Sequence, residues 1–342
     1  MKKLIAVAVL LFVPLLASAQ QPDALLTRDG TLYTVRFERA EEHPDVVTES
    51  AAYLRVTARR GETVTSEIIP STLERGSNYS PTIAYDEHSG MLFVFWIHNQ
   101  GMLANQLMFT SRTADGAWSA ARVFGDGYYD QRKNLRVAVT RKFRDENEGL
   151  RSGLSVHLVW WELNTTTGKG SAKYAMASIS GGNIVDFVSL DLAEFVSPRQ
   201  DGATPEETSD EINKDLLKQP LLFPTPMQDS VELVFGDLES GTMNQVRITP
   251  RKIAADGRLR VPGGRREGSF RAPKMDTANS RLEGLYVDSN RLALYAVGEG
   301  KLRYVLLDGT SVSEPFAITL DEHLSAESAV EALRRLVHEH ER

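Results

Sequence analysis

The chain has 342 residues, 42% of them hydrophobic and 25% charged, which is ample material for an ordinary apolar core. With no cysteine it excludes disulfide stabilisation and a cysteine-linked lipid anchor. Its formal charge of -7 argues against a general affinity for nucleic acid.

Residues 1–19 read as an export signal. Lys2 and Lys3 give a positive start, an apolar run from Leu4 to Leu16 is broken only by Pro14, and Ala17-Ser18-Ala19 has the small-x-small form of a cleavage site. The run is shorter than the roughly 20 apolar residues that span a bilayer, and no later run is long enough, so no transmembrane anchor is expected after cleavage. The expected destination is the bacterial periplasm or the extracellular space.

From there on the sequence reads as strands, by alternation and by β-branched and aromatic content. A first unit covers 31–39, 51–59 and 63–70, with 24–28 as a weak inner strand. The next has strands at 79–86, 91–98, 105–113 and 119–124. Two more follow, at 136–143, 154–162, 171–179 and 186–192, and at 221–228, 231–237, 245–253 and 258–261. The last uses 282–289, 291–297, 301–308 and 314–320. Each unit has a strand ending near a large side chain (Phe37, Trp96, Trp160, Phe235, Tyr295) and then a glycine turn, at Arg60-Gly61, Asp115-Gly116, Gly181-Gly182, Asp256-Gly257 and Asp308-Gly309. A supersecondary unit that returns at this spacing marks a repeat architecture.

Five thin antiparallel sheets are best satisfied by stacking around an axis, which leaves only short protected edges. The expected fold is all-β: a β-propeller over 20–320 with five four-stranded blades, and room for a sixth, degenerate one near the N-terminus. A β-sandwich or two smaller β domains are the alternatives. Two segments depart from the repeat. Residues 199–218 hold six acids and three bases, and Thr204-Pro205-Glu206-Glu207 has the form of a helix start. Residues 321–342 carry Ala326, Ala329, Val330, Leu333, Leu336 and Val337 at helical spacing, which predicts a C-terminal amphipathic helix packed on the propeller.

The unit holding 81–86, 92–96 and 108–119 resembles a blade of the sialidase-like, Asp-box (BNR-repeat) propellers. Their turn motif has the form Ser-x-Asp-x-Gly-x-Thr-Trp, which Ser111, Asp115, Gly116 and Trp118 approximate with altered spacing and without the threonine. The role this resemblance implies is structural. The aspartate takes turn amides, the glycine supplies a positive φ and the tryptophan packs between sheets. The family's Phe-Arg-Ile-Pro marker is absent, with Val35-Arg36-Phe37 the nearest fragment, so no catalytic sialidase residue is carried over.

In a propeller, the loops from outer strand to next inner strand and from second to third strand share one face. Of these loops, 126–134 is the densest polar and aromatic cluster. Tyr128 and Tyr129 offer flat faces and hydroxyls, and Asp130, Arg132 and Asn134 offer directed hydrogen bonds, a mixture that suits a sugar or a peptide. The stretch 247–274 carries nine Lys or Arg against Asp256 and Glu267, with Arg265 and Arg266 placed in a glycine-rich loop on that face. An acidic glycan or a lipid headgroup is the anionic ligand it would take. For both loops the ordinary alternative is plain solvation. Alternation predicts that one indole of Trp160-Trp161 is buried and the other exposed. No metal, phosphate-loop, dinucleotide or nucleophile-elbow pattern appears, so neither metal nor cofactor is expected. The expected function is non-catalytic binding of a glycan, peptide or envelope protein. A glycosidase-like hydrolase with unrecognised carboxylates and a structural scaffold of an envelope complex are the competing readings.

Overall fold

The computed structural model describes residues 23–27, 29, 31–100, 105–125, 131–164, 167, 169–180, 183–192, 220–237, 242–252, 259–261, 264–271, 282–286, 290–298, 301–308 and 311–319. These are almost entirely strands and turns, with two 3-10 turns at Ala40–Glu42 and Pro70–Thr72. The expected signal at 1–19, the insertion at 199–218 and the helix at 321–342 lie outside the described residues.

A first antiparallel meander runs through β1 (Asp23–Leu26), β2 (Leu32–Arg39), β3 (Ser50–Arg60) and β4 (Thr63–Ile68). A second runs through β5 (Gly76–Asp86), β6 (Met91–Asn99), β7 (Asn105–Arg112) and β8 (Arg122–Val123). A short parallel pairing of β3 with β5 merges the two into one eight-stranded sheet. The third comprises β9 (Gln131–Asp145), β10 (Gly149–Asn164), β11 (Lys169–Ser180) and β12 (Asn183–Asp191).

The fourth begins with β13 (Leu221–Pro224), β14 (Val231–Asp237) and β15 (Thr242–Ile248). The chain then leaves it. β16 (Arg251–Lys252) runs parallel to β9 and pairs with β17 (Leu259–Arg260), so both extend the third sheet. Only β18 (Gly264–Arg271) returns to close the fourth sheet against β15. The fifth holds β19 (Leu282–Tyr286), β20 (Arg291–Gly298), β21 (Lys301–Asp308), β22 (Ser311–Val312) and β23 (Phe316–Thr319).

Two expected strands are corrected. The outer strand of the fourth unit is β18, not 258–261, whose described part is drawn away by the parallel edge of β9. The strand expected over 119–124 shrinks to β8. Around Ser119 side-chain bonds compete with the ladder: its hydroxyl accepts the Ser111 N–H at 3.0 Å and its carbonyl accepts from the Thr110 hydroxyl at 2.8 Å, beside one backbone bond from the Ser119 N–H to the Ser111 carbonyl at 2.8 Å.

Among the described residues the core consists of four apolar clusters, each at a junction between consecutive meanders. Val35, Leu54 and Val56 meet Ile83, Leu92, Val94 and Trp96 at the first junction. Phe93, Phe95, Leu107 and Phe109 meet Val137, Val156, Leu158 and Ala177 at the second. Val159, Tyr174 and Met176 meet Leu233 and Phe235 at the third, and Phe223 and Val234 meet Leu294 and Val305 at the fourth. Successive residues of one strand thus feed different clusters: Leu92, Val94 and Trp96 of β6 enter the first, Phe93 and Phe95 the second. A strand buried on both faces reads as a continuous apolar run, as Leu92 to Ile97 does. Each such side chain contributes about 1.5–3 kcal/mol on burial. The inner strands pack in chain order, β1 on β5, β5 on β9, β9 on β13 and β13 on β19. Comparable packing of β19 on β1, the joint that would complete a ring, is not found among the described residues. Nor, among them, is any helix long and apolar enough to cross a membrane.

Gly76 makes the β3–β5 joint possible. Its φ is +137°, and a Cβ there would lie 2.5 Å from the His98 ring and 2.9 Å from the Asn99 carbonyl oxygen. Gly76→Ala is expected to cost about 2 kcal/mol, since strain and a backbone clash coincide. A urea midpoint unchanged by the substitution would contradict that account.

Candidate binding groove

Two inner strands share a local device. In β5 a register shift between Tyr79 and Thr82 inserts Ser80 and Pro81 opposite Trp96, and Ser80 has φ +49°. In β9 a shift falls at the same place, with Asn134 at φ +55° and Leu135 opposite Trp160. Each is a bulge that re-aims the strand above it. Two residues before each positive φ stands a buried polar residue, Asn78 or Arg132, and its cross-strand partner is also polar and buried, His98 or Glu162. The facing indoles join in: Trp96 Nε1 donates to Asn78 Oδ1 at 2.8 Å, and Trp160 Nε1 to Glu162 Oε2 at 3.0 Å.

Around Asn78 the bonds cross from one meander to the other. Its Nδ2 donates to the Ala52 and Thr72 carbonyls, both at 2.9 Å, and its Oδ1 also accepts from His98 Nδ1 at 2.8 Å. Since Oδ1 only accepts, His98 carries its proton on Nδ1. Burial holds the His98 imidazole below its ordinary value, against a weaker opposing pull from Glu74.

Just outside this clamp lies an open groove of about 470 Å³ between the ends of β2, β3 and β5. Phe37 and Tyr79 supply half-buried aromatic faces, Ser77 a hydroxyl, and exposed Arg39 and Glu41 a charged rim 3.7 Å apart. The Tyr79 hydroxyl donates to Asn105 Oδ1, which fixes the ring. Burial pushes this phenol up to about 12, although Arg132 pulls the other way, so it is a neutral donor at physiological pH.

Buried carboxylates are committed elsewhere. Burial would raise the Glu38 carboxyl, but hydrogen bonds from Arg55 at 2.7 Å and Arg36 at 3.0 Å outweigh it and hold it low. Glu38 alternates with Phe37 and Arg39 and so faces away from the groove. Asp86 is held low in the same way, its burial outweighed by Arg141 and Ser89. Glu232 takes Arg247 Nε at 2.6 Å, and Asp229 lies 3.7 Å from Arg144. Glu162 is held more loosely, 3.6 Å from Arg132 and 3.7 Å from Lys173.

The residues singled out in the sequence fare unequally. Tyr128, Tyr129 and Asp130 lie outside the described residues. Arg132 and Asn134 stand in β9 rather than in a loop. Arg132 is buried with its guanidinium 5.8 Å from the Trp160 ring centre, and Asn134 builds the bulge. Arg265 and Arg266 belong to β18, opposite Arg247 and Val246, and are not in a loop either. Both indoles of Trp160-Trp161 are buried, because the second packs on Gly170 beneath Lys133 while the first enters the second cluster. In the 111–118 turn, Gly116 has φ +94° and the Thr113 hydroxyl donates to Asp115, the bond chiefly responsible for lowering its carboxyl. Trp118 Nε1 donates to Glu67 at 3.0 Å, tying β4 of the first meander to the connection between β7 and β8 of the second, and Ser111 is buried beside Ser119. Phe37 and Tyr79 were missed as site residues. Pro81 inside a strand pattern is the available signal, since proline there marks a bulge.

No protein-family model matches the chain, and no curated protein matches it. Among solved structures it is similar to an α-L-arabinofuranosidase from Fusarium graminearum in complex with an iminosugar inhibitor, at TM-score 0.44 and 12% identity over 78% of this chain and 67% of that one. It is also similar to a Penicillium chrysogenum α-L-arabinanase complexed with arabinobiose, at 0.43 and 13% over 89% and 78%. A Lactobacillus brevis α-L-arabinofuranosidase follows at 0.39 and 12%, over 86% and 85%. At these values the likenesses carry no argument about this chain, whose chemistry is read from its own residues.

Proposed function

We infer that the chain is an exported five-bladed propeller that binds a glycan, without turning it over, in the groove between its first two blades. The observation that carries this is the groove's lining: two aromatic faces beside a serine hydroxyl, one arginine and a single acid, Glu41. Flat rings suit the apolar face of a sugar, and the rim groups suit its hydroxyls. Glycoside hydrolysis calls on two placed carboxyl groups, one with a raised pKa. The carboxyls shifted among the described residues, Asp29, Glu38, Asp86 and Asp115, are all shifted downward.

A hydrolase is the second reading, and the loose hold on Glu162 favours it: one oxygen takes the Trp160 N–H with Arg132 3.6 Å away, and among the described residues the other has Lys173 at 3.7 Å as its ion-pair partner. A glycan array and a fluorogenic glycoside panel on the mature protein separate the two. Binding that falls about tenfold or more in Tyr79→Ala, with no glycoside cleaved, is the expected result, since losing one aromatic platform amounts to roughly 1.4 kcal/mol. Cleavage that disappears in Glu162→Gln would replace this reading with the hydrolase, and silence in both assays would leave a scaffold.

A further inference from the structure

The basic stretch of the sequence acquires a partner at the other end of β9. There β10, β9, β16 and β17 lie side by side, and one register row reads Leu150, Arg144, Arg251, Arg260. Directly paired residues project from the same face of a sheet, and strands are about 4.8 Å apart, so three arginines stand in a line roughly 10 Å long. Lys142, two residues before Arg144, shares that face. The intervening Phe143 packs into the third apolar cluster, and Asp145 lies 3.7 Å from Lys252, so the opposite face is the one turned inward.

Arg251 is exposed, and the Arg144 side chain is 60% exposed. Among the described residues the one ion pair made by Lys142, Arg144 or Arg251 is that of Arg144 with Asp229, at 3.7 Å. Like charges facing each other across strands oppose the pairing, and this row forms within a chain of formal charge -7. We propose that this face binds an acidic polysaccharide, one carboxylate-bearing chain laid along the row and across the strands.

A guanidinium takes a carboxylate through two parallel hydrogen bonds, and a row with one arginine on each of three neighbouring strands, β9, β16 and β17, matches a polymer that repeats its charge along its length. A flat anionic membrane fits less well. The hairpin tip next to the row carries exposed Glu146 and Glu148, which would meet the headgroups first. The site is independent of the groove, so either can fail without the other.

The test is affinity electrophoresis of the mature protein through gels holding polygalacturonate, with hydroxyethylcellulose as the neutral control and phosphatidylglycerol vesicles in a separate flotation assay. Retention confined to polygalacturonate is expected, weakening as ionic strength rises. Arg251→Glu, at the exposed residue of a two-residue strand, should raise the apparent Kd at least tenfold while the far-UV circular dichroism stays native. Arg144→Gln with Lys142→Gln should do the same, and Tyr79→Ala should leave retention unchanged. Equal retention of Arg251→Glu, equal retention on the neutral polymer, or binding confined to the vesicles would each overturn the assignment.

Discussion

Lowering the pH from 7 to 4.5 is expected to remove about 3 kcal/mol of stability through His157 alone. The loss runs at about 1.4 kcal/mol for every pH step of one below the point where the unfolded ring takes its proton. His157 lies mid-strand in β10 and is fully buried. Its Nε2 meets the Thr140 hydroxyl at 2.9 Å and its Nδ1 the Tyr174 hydroxyl at 2.7 Å. Burial pushes its imidazole down to about 3 and drives the Tyr174 phenol well up. The folded protein therefore keeps this ring neutral while the unfolded chain protonates it near 6.5. Stability is fully present above that value and is lost as pH falls toward 3.

Urea unfolding of the wild type and of His157→Gln at several pH values between 7 and 4.5 reads the effect as a difference in slope. His98, lowered in the same direction, is present in both proteins and cancels. The lowered carboxyls of Glu38 and Asp86 lose their contribution only below their ordinary values near 4.5 and 3.8, mostly beneath this window. The variant should be less stable at pH 7, having lost two buried hydrogen bonds, but flatter with pH. Parallel slopes would show that the ring is not buried neutral.

His157 itself was invisible as a sensor in the sequence, where it is one polar residue inside an apolar strand. The strand around it was legible, because runs such as Leu92 to Ile97 can satisfy both faces only between two sheets. The meander order followed from the same pattern. The β16–β17 detour was not legible, since two-residue strands carry no periodicity and their place is set by the free edge of β9. Alternation failed at Trp160-Trp161 because it assumes one wet face, whereas Gly170 leaves space for the second indole on the other side of the sheet. The groove was hidden for a further reason. The β2–β3 pairing sets Phe37 near Ala52, but Ser77 and Tyr79 join them through the parallel joint at Gly76, a contact that no local pattern encodes.

That joint is where the second large effect is expected. Asn78→Ala should cost about 4 kcal/mol. The substitution leaves a buried indole N–H, a buried imidazole N–H and the Thr72 carbonyl without this partner, while the Ala52 carbonyl keeps the Ser50 hydroxyl at 2.6 Å, and each orphaned group costs about 1–3 kcal/mol before relaxation. Water cannot easily replace the amide, since Asn78 is only 1% exposed. Trp96→Phe made on the Asn78→Ala background should cost less than on the wild type, because the N–H it removes is already unsatisfied. Asn78 also lies beneath the groove and directly before Tyr79, so the variant should lose glycan binding together with stability. Tyr79→Ala, by contrast, should lose binding at a smaller cost in stability than Asn78→Ala. If Asn78→Ala stayed within about 1 kcal/mol of the wild type, the apolar contacts of Val35, Leu54, Ile83 and Trp96 would be holding the first two meanders together on their own, and the groove would not depend on the clamp.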